Sequence, residues 1–96
     1  MLYNITFLKQ ALKEWEKLNP SIRENFKKKL EERRKNPKVQ KDALSGMENC
    51  YKIKFRALGY RLVYRVIEER IVIQVIAIGK RDKSEVYNIA KNRIIH

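Results

Sequence analysis

The sequence predicts an α+β fold in which an N-terminal helical hairpin packs on a small antiparallel twisted β-sheet and a short helix closes the C-terminus. Three observations carry that prediction. Apolar residues recur at helical spacing across residues 7–18 and again after Pro20. Three apolar-rich runs then follow, at residues 50–56, 60–67 and 70–78. The links between those runs, Ala57-Leu58-Gly59 and Glu68-Glu69, are too short for a crossover helix, so the runs must pair as antiparallel neighbours. A chain of 96 residues offers volume for one core, which sets the expectation of a single domain over 1–96.

Residues 2–5 alternate apolar and polar side chains and read as a short opening strand, with Thr6 placed to cap the helix that follows. That helix, residues 7–18, carries Leu8, Ala11, Leu12, Trp15 and Leu18 on one stripe. Asn19-Pro20-Ser21 interrupts it. Proline suits the first turn of a new helix, and Ser21 with Glu24 resembles a capping box. The second helix turns Ile22, Phe26 and Leu30 inward, presents Lys27, Lys28, Lys29, Arg33, Arg34 and Lys35 to solvent, and stops at Asn36-Pro37. A polar link over 38–49, with Gly46 as its turn point, leads into the sheet. The run at 70–78 is almost continuously apolar and reads as a central strand. Gly79 and the charged turn 80–83 stop it, and Ser84 can cap a last short helix with Val86, Ile89 and Ala90, extended by Arg93 and Ile94, on its inner side.

Charge is the informative part of the composition. Lys and Arg number 23 against 11 Asp and Glu, a formal net charge of +12. Such an excess repels itself in the compact state, and its usual benefit is attraction to a polyanion. Nucleic acid is the leading partner on this ground, with plain solubility and an acidic protein partner as the open alternatives. No apolar run approaches the roughly 18 residues of a membrane span. The start, MLYNITFLKQ, lacks the basic segment, apolar core and cleavage site of a secretory signal, so no membrane association and a cytoplasmic location are expected. Cys50, the single cysteine, cannot form an internal disulfide and reads as an inert core thiol.

A period of two along YKIKFR sets Tyr51, Ile53 and Phe55 on one side of the sheet and Lys52, Lys54 and Arg56 on the other. In the next strand Arg61 and Arg65 alternate with Tyr60, Leu62 and Tyr64. A tight hairpin around Gly59 puts Arg61 across from the Lys52 and Lys54 row. Directly opposed like charges destabilise a sheet, and an RNA phosphate between them removes the penalty. Lys80 and Arg81 follow the central strand and can reach the same face, with Tyr87 shortly beyond. Taken singly, each of these residues has an ordinary explanation. Basic side chains on a solvated strand face are commonplace, a Lys-Arg pair can be a turn, and a lone tyrosine is usually a half-buried core residue. Their convergence on one face is what points to a site.

Residue types narrow the chemistry further. The one histidine, His96, stands at the end of the sequence, so a histidine acid–base pair is excluded. Neither a Cys/His cluster nor a carboxylate cage is spaced to hold a metal, and no cofactor motif is present, so no cofactor is expected. Cleavage of RNA by this chain must therefore rest on lysine and arginine. A lysine packed among cations has its charged form disfavoured and can act as a base.

The stretch GMENCYKIKFRALGYRLVYRV, followed by VIAIGKRDKSEVY, resembles the core of the RelE toxins of the RelE/ParE superfamily, and FLKQALKEWEKLNPSIRENFKKKL resembles their helical hairpin. The likeness runs nearly end to end, with ALKEW, CYKIK, GYRLVY, GKR and SEVY in the family's order and spacing. It implies a small α+β toxin of a type II toxin–antitoxin system, an mRNA interferase that cuts codons in the ribosomal A site and is silenced by a RelB-type antitoxin. Carried over by motif, the catalytic residues are Lys52 and Lys54 of YKIK, Arg61 of GYR, Arg81 of GKR and Tyr87 of SEVY. The resemblance implies Lys54 as general base on the ribose 2′-hydroxyl, Lys52 and Arg61 as stabilisers of the phosphorane, Arg81 at the leaving 5′-oxygen and Tyr87 as a stacking platform. Its product is a 2′,3′-cyclic phosphate. Contacts with RNA and ribosome, ribosomal RNA included, fall to Lys27, Lys28 and Arg34 of the second helix, Lys38 and Lys41 of the link, and Arg56, Arg65 and Lys80 around the strands. Two alternatives stay open: a ParE-like toxin that poisons DNA gyrase without catalysis, and a basic RNA-binding module that does not cut.

Overall fold

A computed structural model describes residues 2–80 and 85–95. Arg81, the expected cap Ser84 and His96 lie outside the described residues. The chain opens with strand β1 (Asn4–Phe7), followed by helices α1 (Lys9–Glu16) and α2 (Pro20–Arg33). Strands β2 (Cys50–Phe55), β3 (Tyr60–Ile67) and β4 (Val72–Lys80) come next, and helix α3 (Glu85–Ile95) follows. The strand order is β1-β4-β3-β2. The expected antiparallel meander is present as β2, β3 and β4, and β4 is central as expected. The sheet as a whole is mixed, because β1 adds to β4 in parallel, from Asn4 opposite Val72 to Phe7 opposite Val75.

That pairing corrects the reading of the N-terminus. Thr6, expected as a helix cap, is a strand residue opposite Gln74. Leu8 is the residue before α1, with no side-chain cap, and its N–H donates to the Val75 carbonyl at 3.0 Å. The ladder to β4 satisfies more backbone groups than one hydroxyl cap could, so the strand runs on to Phe7. At the next helix the cap is Asn19, whose Oδ1 accepts from the Ser21 N–H at 2.9 Å and from the Ser21 hydroxyl at 3.0 Å. Ser21 therefore sits inside the first turn, one residue after Pro20. Helix α2 stops at Arg33, ahead of Asn36-Pro37. Strand β4 starts later than expected because residues 68–70 form a 3₁₀ turn that ends on Ile71 in the left-handed region, φ 56°. It also ends later: Gly79 and Lys80 pair with Arg61 and Tyr60 as part of the ladder.

Two apolar layers hold the sheet. The hairpin of α1 and α2 covers one face, where Ala11, Ile22, Phe26 and Leu30 meet Tyr51, Ile53, Leu62, Tyr64, Val66, Ile73 and Val75. Helix α3 covers part of the other, where Val86 and Ala90 meet Val63, Ile76 and Ala77. Val63 pairs with Ala77 and Tyr64 with Val75, so Ile76 is the extra residue of a bulge. A bulge sharpens the local twist and re-aims the residues beside it. Leu12, assigned to the inner stripe of the first helix, is in fact 42% exposed. The buried side of α1 is carried instead by Ala11, with Leu18 just beyond the helix and Leu8 and Trp15 partly buried against the core. No helix among the described residues is long and apolar enough to cross a membrane.

Candidate active site

Strand β2 is an edge of the sheet: β3 is the only strand paired with it among the described residues, and on its outer side the link adds a single bridge, Ala43 to Tyr51. Their register sets Lys54 directly opposite Arg61 and Lys52 opposite Val63. The expectation from the two-residue period is met: Tyr51 and Ile53 are buried under the hairpin, while Lys52 and Lys54 are half-exposed on the α3 side. The turn that fixes this register is a 3₁₀ turn over Arg56–Leu58, closed by Gly59 in the left-handed region at φ 68°. Few other residues accept that conformation without strain.

Helix α3 covers Val63 and Ala77 but does not extend over the Lys52 and Lys54 end of the face, which is open among the described residues. Arg61 pairs with Gly79 across β3 and β4. A Cβ at Gly79 would lie 3.7 Å from Val86 Cγ2, so the first turn of α3 rests closely on this strand pair. Tyr87, next along that turn, therefore meets Arg61. The Arg61 Nη1 donates to the Tyr87 hydroxyl at 2.5 Å, and the guanidinium carbon lies 5.4 Å from the ring centroid. Among the described residues this is the one side-chain hydrogen bond of Arg61, which uses one of five guanidinium donors.

Electrostatics select one lysine. The Lys54 ammonium is held below the ordinary lysine value, chiefly by the charge of Lys52, then by partial burial, then by Arg61 and Arg56. Asp42 opposes the shift. Like charges crowd this amine and favour the form that has lost its proton.

Beside the row lies a polar cleft of about 400 Å³, lined by Lys29, Arg33, Lys41, Asp42, Lys52, Lys54 and Arg56. Arg56 lies beside the lysine row, on whose face the strand period sets it, and Lys41 of the link, expected only as a contact to ribosomal RNA, lines the same cleft. Arg33 has a different part. It was read as one of a solvated basic row, yet its side chain is 16% exposed and fully engaged. Nη2 pairs with Asp42 Oδ2 at 2.6 Å, and Nη1 donates to the Tyr64 hydroxyl at 2.8 Å and to the Lys52 carbonyl at 3.4 Å. Tyr64 in turn donates to the Pro37 carbonyl at 2.6 Å. Arg33 and Asp42 so tie the outer edge of β2, at the carbonyl of a site lysine, to the end of α2 and the link after it. The sequence did carry a signal for this, because position 33 continues the 22, 26, 30 stripe of inward residues on α2.

Other candidates are placed elsewhere. Lys27 lines a groove with Ile5, Phe7 and Trp15 between the hairpin and β1, away from the lysine row. Arg34 Nε donates to the Tyr3 carbonyl at 2.8 Å and Nη1 pairs with Glu31 at 3.1 Å, so it braces β1 against α2. Lys38 pairs with Glu68. Lys28 is exposed on α2. Arg65 donates to Gln74 at 3.0 Å and lines a separate cleft with Cys50 and Lys91. Burial pushes the Cys50 thiol up to about 11, which suits an unreactive core residue. Lys80 lies 5.8 Å from the centroid of the Tyr60 ring, at the open end of the strand pair that carries Arg61. Among the described residues, no group of three or more His, Cys, Asp or Glu could hold a metal ion.

A mixed sheet between a helical hairpin and a C-terminal helix, with its exposed edge reserved for lysine and arginine, is the architecture of the RelE/ParE toxins, and the chain belongs to that superfamily. Residues 5–85 match the family described as the ParE toxin of type II toxin–antitoxin system, parDE. Within the superfamily the chain is of the RelE type. It is 52% identical over 95 residues to the mRNA interferase toxin RelE of Escherichia coli strain K12, covering 99% of this chain and 100% of that one. The free-state structure of a double mutant of E. coli toxin RelE superposes with a TM-score of 0.91 at 51% identity, covering 98% of this chain and 99% of the other. A mutant of the same toxin in complex with an antitoxin RelBc peptide superposes with a TM-score of 0.83 at 51% identity, covering 94% and 95%.

Proposed function

We propose that this chain is the toxin of a type II toxin–antitoxin pair and acts as a ribosome-dependent endoribonuclease on mRNA in the A site. The observation that carries the reading is the pairing of Lys54 with Arg61, with Tyr87 against Arg61, on one face of the sheet. The likeness at 52% identity to a protein named an mRNA interferase supports the same activity. Lys54, poised to lose its proton, takes the proton of the ribose 2′-hydroxyl. The 2′-oxygen attacks the adjacent phosphorus, the bond to the 5′-oxygen breaks, and a 2′,3′-cyclic phosphate remains. Lys52 and Arg61 hold the charge that develops on the phosphorane oxygens, where fixed cations contribute most. Arg81 stabilises the leaving 5′-oxygen as a cation, and that oxygen takes its proton from solvent; a guanidinium keeps its proton across the accessible pH range and is a poor acid. Tyr87 offers its ring to a splayed base. DNA, which lacks the 2′-hydroxyl, is not cut.

Lys41 and Arg56 continue the cationic surface from the site into the adjoining cleft, which suits an RNA strand running onward from the cut phosphate. Lys28 and Lys80 add exposed charge toward ribosomal RNA. A site with a weak base and no strong acid gains much from a substrate already bent and fixed by its host, which accounts for dependence on the ribosome. The toxin works in the cytoplasm, where mRNA is translated, and a RelB-type antitoxin holds it inactive; the complex of E. coli toxin RelE with an antitoxin RelBc peptide supports that partner. The test is to add purified protein to translating ribosomes. Cuts confined to A-site codons, with 2′,3′-cyclic phosphate ends, are expected. Inhibition of DNA supercoiling without RNA cleavage, or ribosome binding without cleavage, would overturn the assignment.

A further inference from the structure

Strand β1 ends opposite Val75, whereas β4 runs on to Lys80. Past that point the β1-side edge of β4 has no strand to satisfy it, and buried backbone groups need partners. Two side chains supply them. Glu14 of α1 accepts the Ile78 N–H on Oε1 at 3.1 Å, and Arg93 of α3 donates from Nη1 to the Ile76 carbonyl at 2.8 Å. The same two side chains join each other through both carboxylate oxygens, Nη1 to Oε1 at 2.8 Å and Nη2 to Oε2 at 2.9 Å. Their side chains are 29% and 16% exposed, so the pair is partly withdrawn from water. A two-point guanidinium–carboxylate contact fixes direction as well as distance.

This ion pair takes the place of the missing strand and fastens one end of α3 to α1 and β4. At the other end of the helix Tyr87 meets Arg61. Along its length the helix buries Val86 and Ala90, with Ile89 and Ile94 partly buried beside them, a small apolar contact for three turns. Apolar burial is non-directional and leaves a helix free to slide or roll, whereas the Arg93 fork does not. We infer that Glu14 and Arg93 form a positioning clamp that sets the seat of α3 and thereby holds Tyr87 over Arg61. The inference rests on the reading of Arg61 and Tyr87 as parts of the cleavage site. Glu14 and Arg93 touch neither reacting atoms nor substrate in this scheme; they act through the helix.

The test uses the full chain carrying Arg93→Ala, Arg93→Lys or Glu14→Ala, with Ile22→Val as a control that loosens the hairpin core on the opposite face. Two readouts are taken. The first is the ring carbon signal of Tyr87 in the free protein by NMR, which needs no substrate. The second is single-turnover cleavage on programmed ribosomes, separated into rate and half-saturating concentration. Arg93→Ala and Glu14→Ala should move the Tyr87 signal and lower the rate on the order of 10- to 100-fold with half-saturation little changed, as a displacement near 1 Å does elsewhere. Arg93→Lys keeps the charge without the fork and should fall between. Ile22→Val should lower the melting temperature while leaving both readouts at parental values. A Tyr87 signal unmoved in the clamp variants would overturn the inference, as would a moved signal with parental cleavage. Failure of the parental protein to cut overturns the cleavage reading itself and is told apart because the Tyr87 signal is read without RNA.

Discussion

Lys54 and Arg61 stand directly opposite each other across β2 and β3, two cations at a spacing where a sheet normally places partners that attract. Lys52 first, then partial burial, then Arg61 and Arg56 hold the Lys54 ammonium below the ordinary lysine value. If Lys54 is the base, cleavage rises with pH as this amine loses its proton and levels off above its depressed pKa. Removing a neighbouring cation relieves the crowding, favours the protonated form and raises that pKa. Arg56→Ala should therefore displace the rising limb of the single-turnover pH profile to higher pH, and Lys52→Ala should displace it further, since Lys52 is the foremost cause. A profile with its midpoint unmoved in both variants would remove Lys54 from the role of base.

The division of labour inside the site makes a kinetic prediction. On the proposed roles, Lys54→Ala removes the base and Arg81→Ala the cation at the leaving oxygen, and both would act only as bonds change. Each should lower single-turnover cleavage by roughly 10²-fold or more, because groups used in the transition state are lost from the rate. Ribosome affinity should stay close to parental, since many other cations grip the particle. A variant that cuts at the parental rate has lost nothing the reaction needs, and its assigned role then falls.

Surface charge divides into residues that are free and residues that are engaged. Lys41 and Arg56 line the cleft beside the site. Arg34 is spent on the Tyr3 carbonyl and Glu31. Affinity for the ribosome should fall steeply with salt as counterions are released. Lys41→Ala and Arg56→Ala should each flatten the slope of log affinity against log salt by about one. Arg34→Ala should leave the slope unchanged and show itself as a lower melting temperature. A flat salt response in the parental protein would contradict the polyanion argument, and a full unit lost on Arg34→Ala would contradict the division.

Much of this site was legible because a strand has a period of two. YKIKFR fixes which side chains share a face, and Gly59 in a short link fixes the register, so Lys52, Lys54 and Arg61 could be brought together before any coordinates. Helix α3 and Tyr87 could be placed only in sequence order, since nothing local records how a helix seats on a sheet. The features that escaped are long-range substitutions of one partner for another. Thr6 carries a cap signal that loses to β4, and the parallel pairing of β1 spans nearly the whole chain. Arg33 and Arg34 look like solvated charges until Asp42 and Tyr3 arrive from distant segments, and nothing local names Glu14 as the partner of Arg93. Charge counts overstate the free cations for that reason.

The buried hydroxyl of Tyr64 makes a prediction about stability. Tyr64 is fully buried, and burial pushes its phenol up to about 12, with the Arg33 guanidinium opposing. An unfolded tyrosine ionises near 10. The folded value is raised, so the stability linked to this group is fully present below pH 10 and is lost as pH climbs through 12. A difference of two pKa units corresponds to roughly 2–3 kcal/mol across that window. Tyr64→Phe removes the hydroxyl that donates to the Pro37 carbonyl and accepts from Arg33, and should cost about 1–3 kcal/mol at neutral pH. It should also flatten the alkaline loss, so that parent and variant converge in urea unfolding as pH rises past 10. Cys50, raised to about 11, contributes to both proteins alike and cancels in the comparison. Curves that stay parallel up to pH 12 would mean that Tyr64 ionises without opening the link between α2 and the edge of β2, and that the Arg33 network is not what secures Lys52.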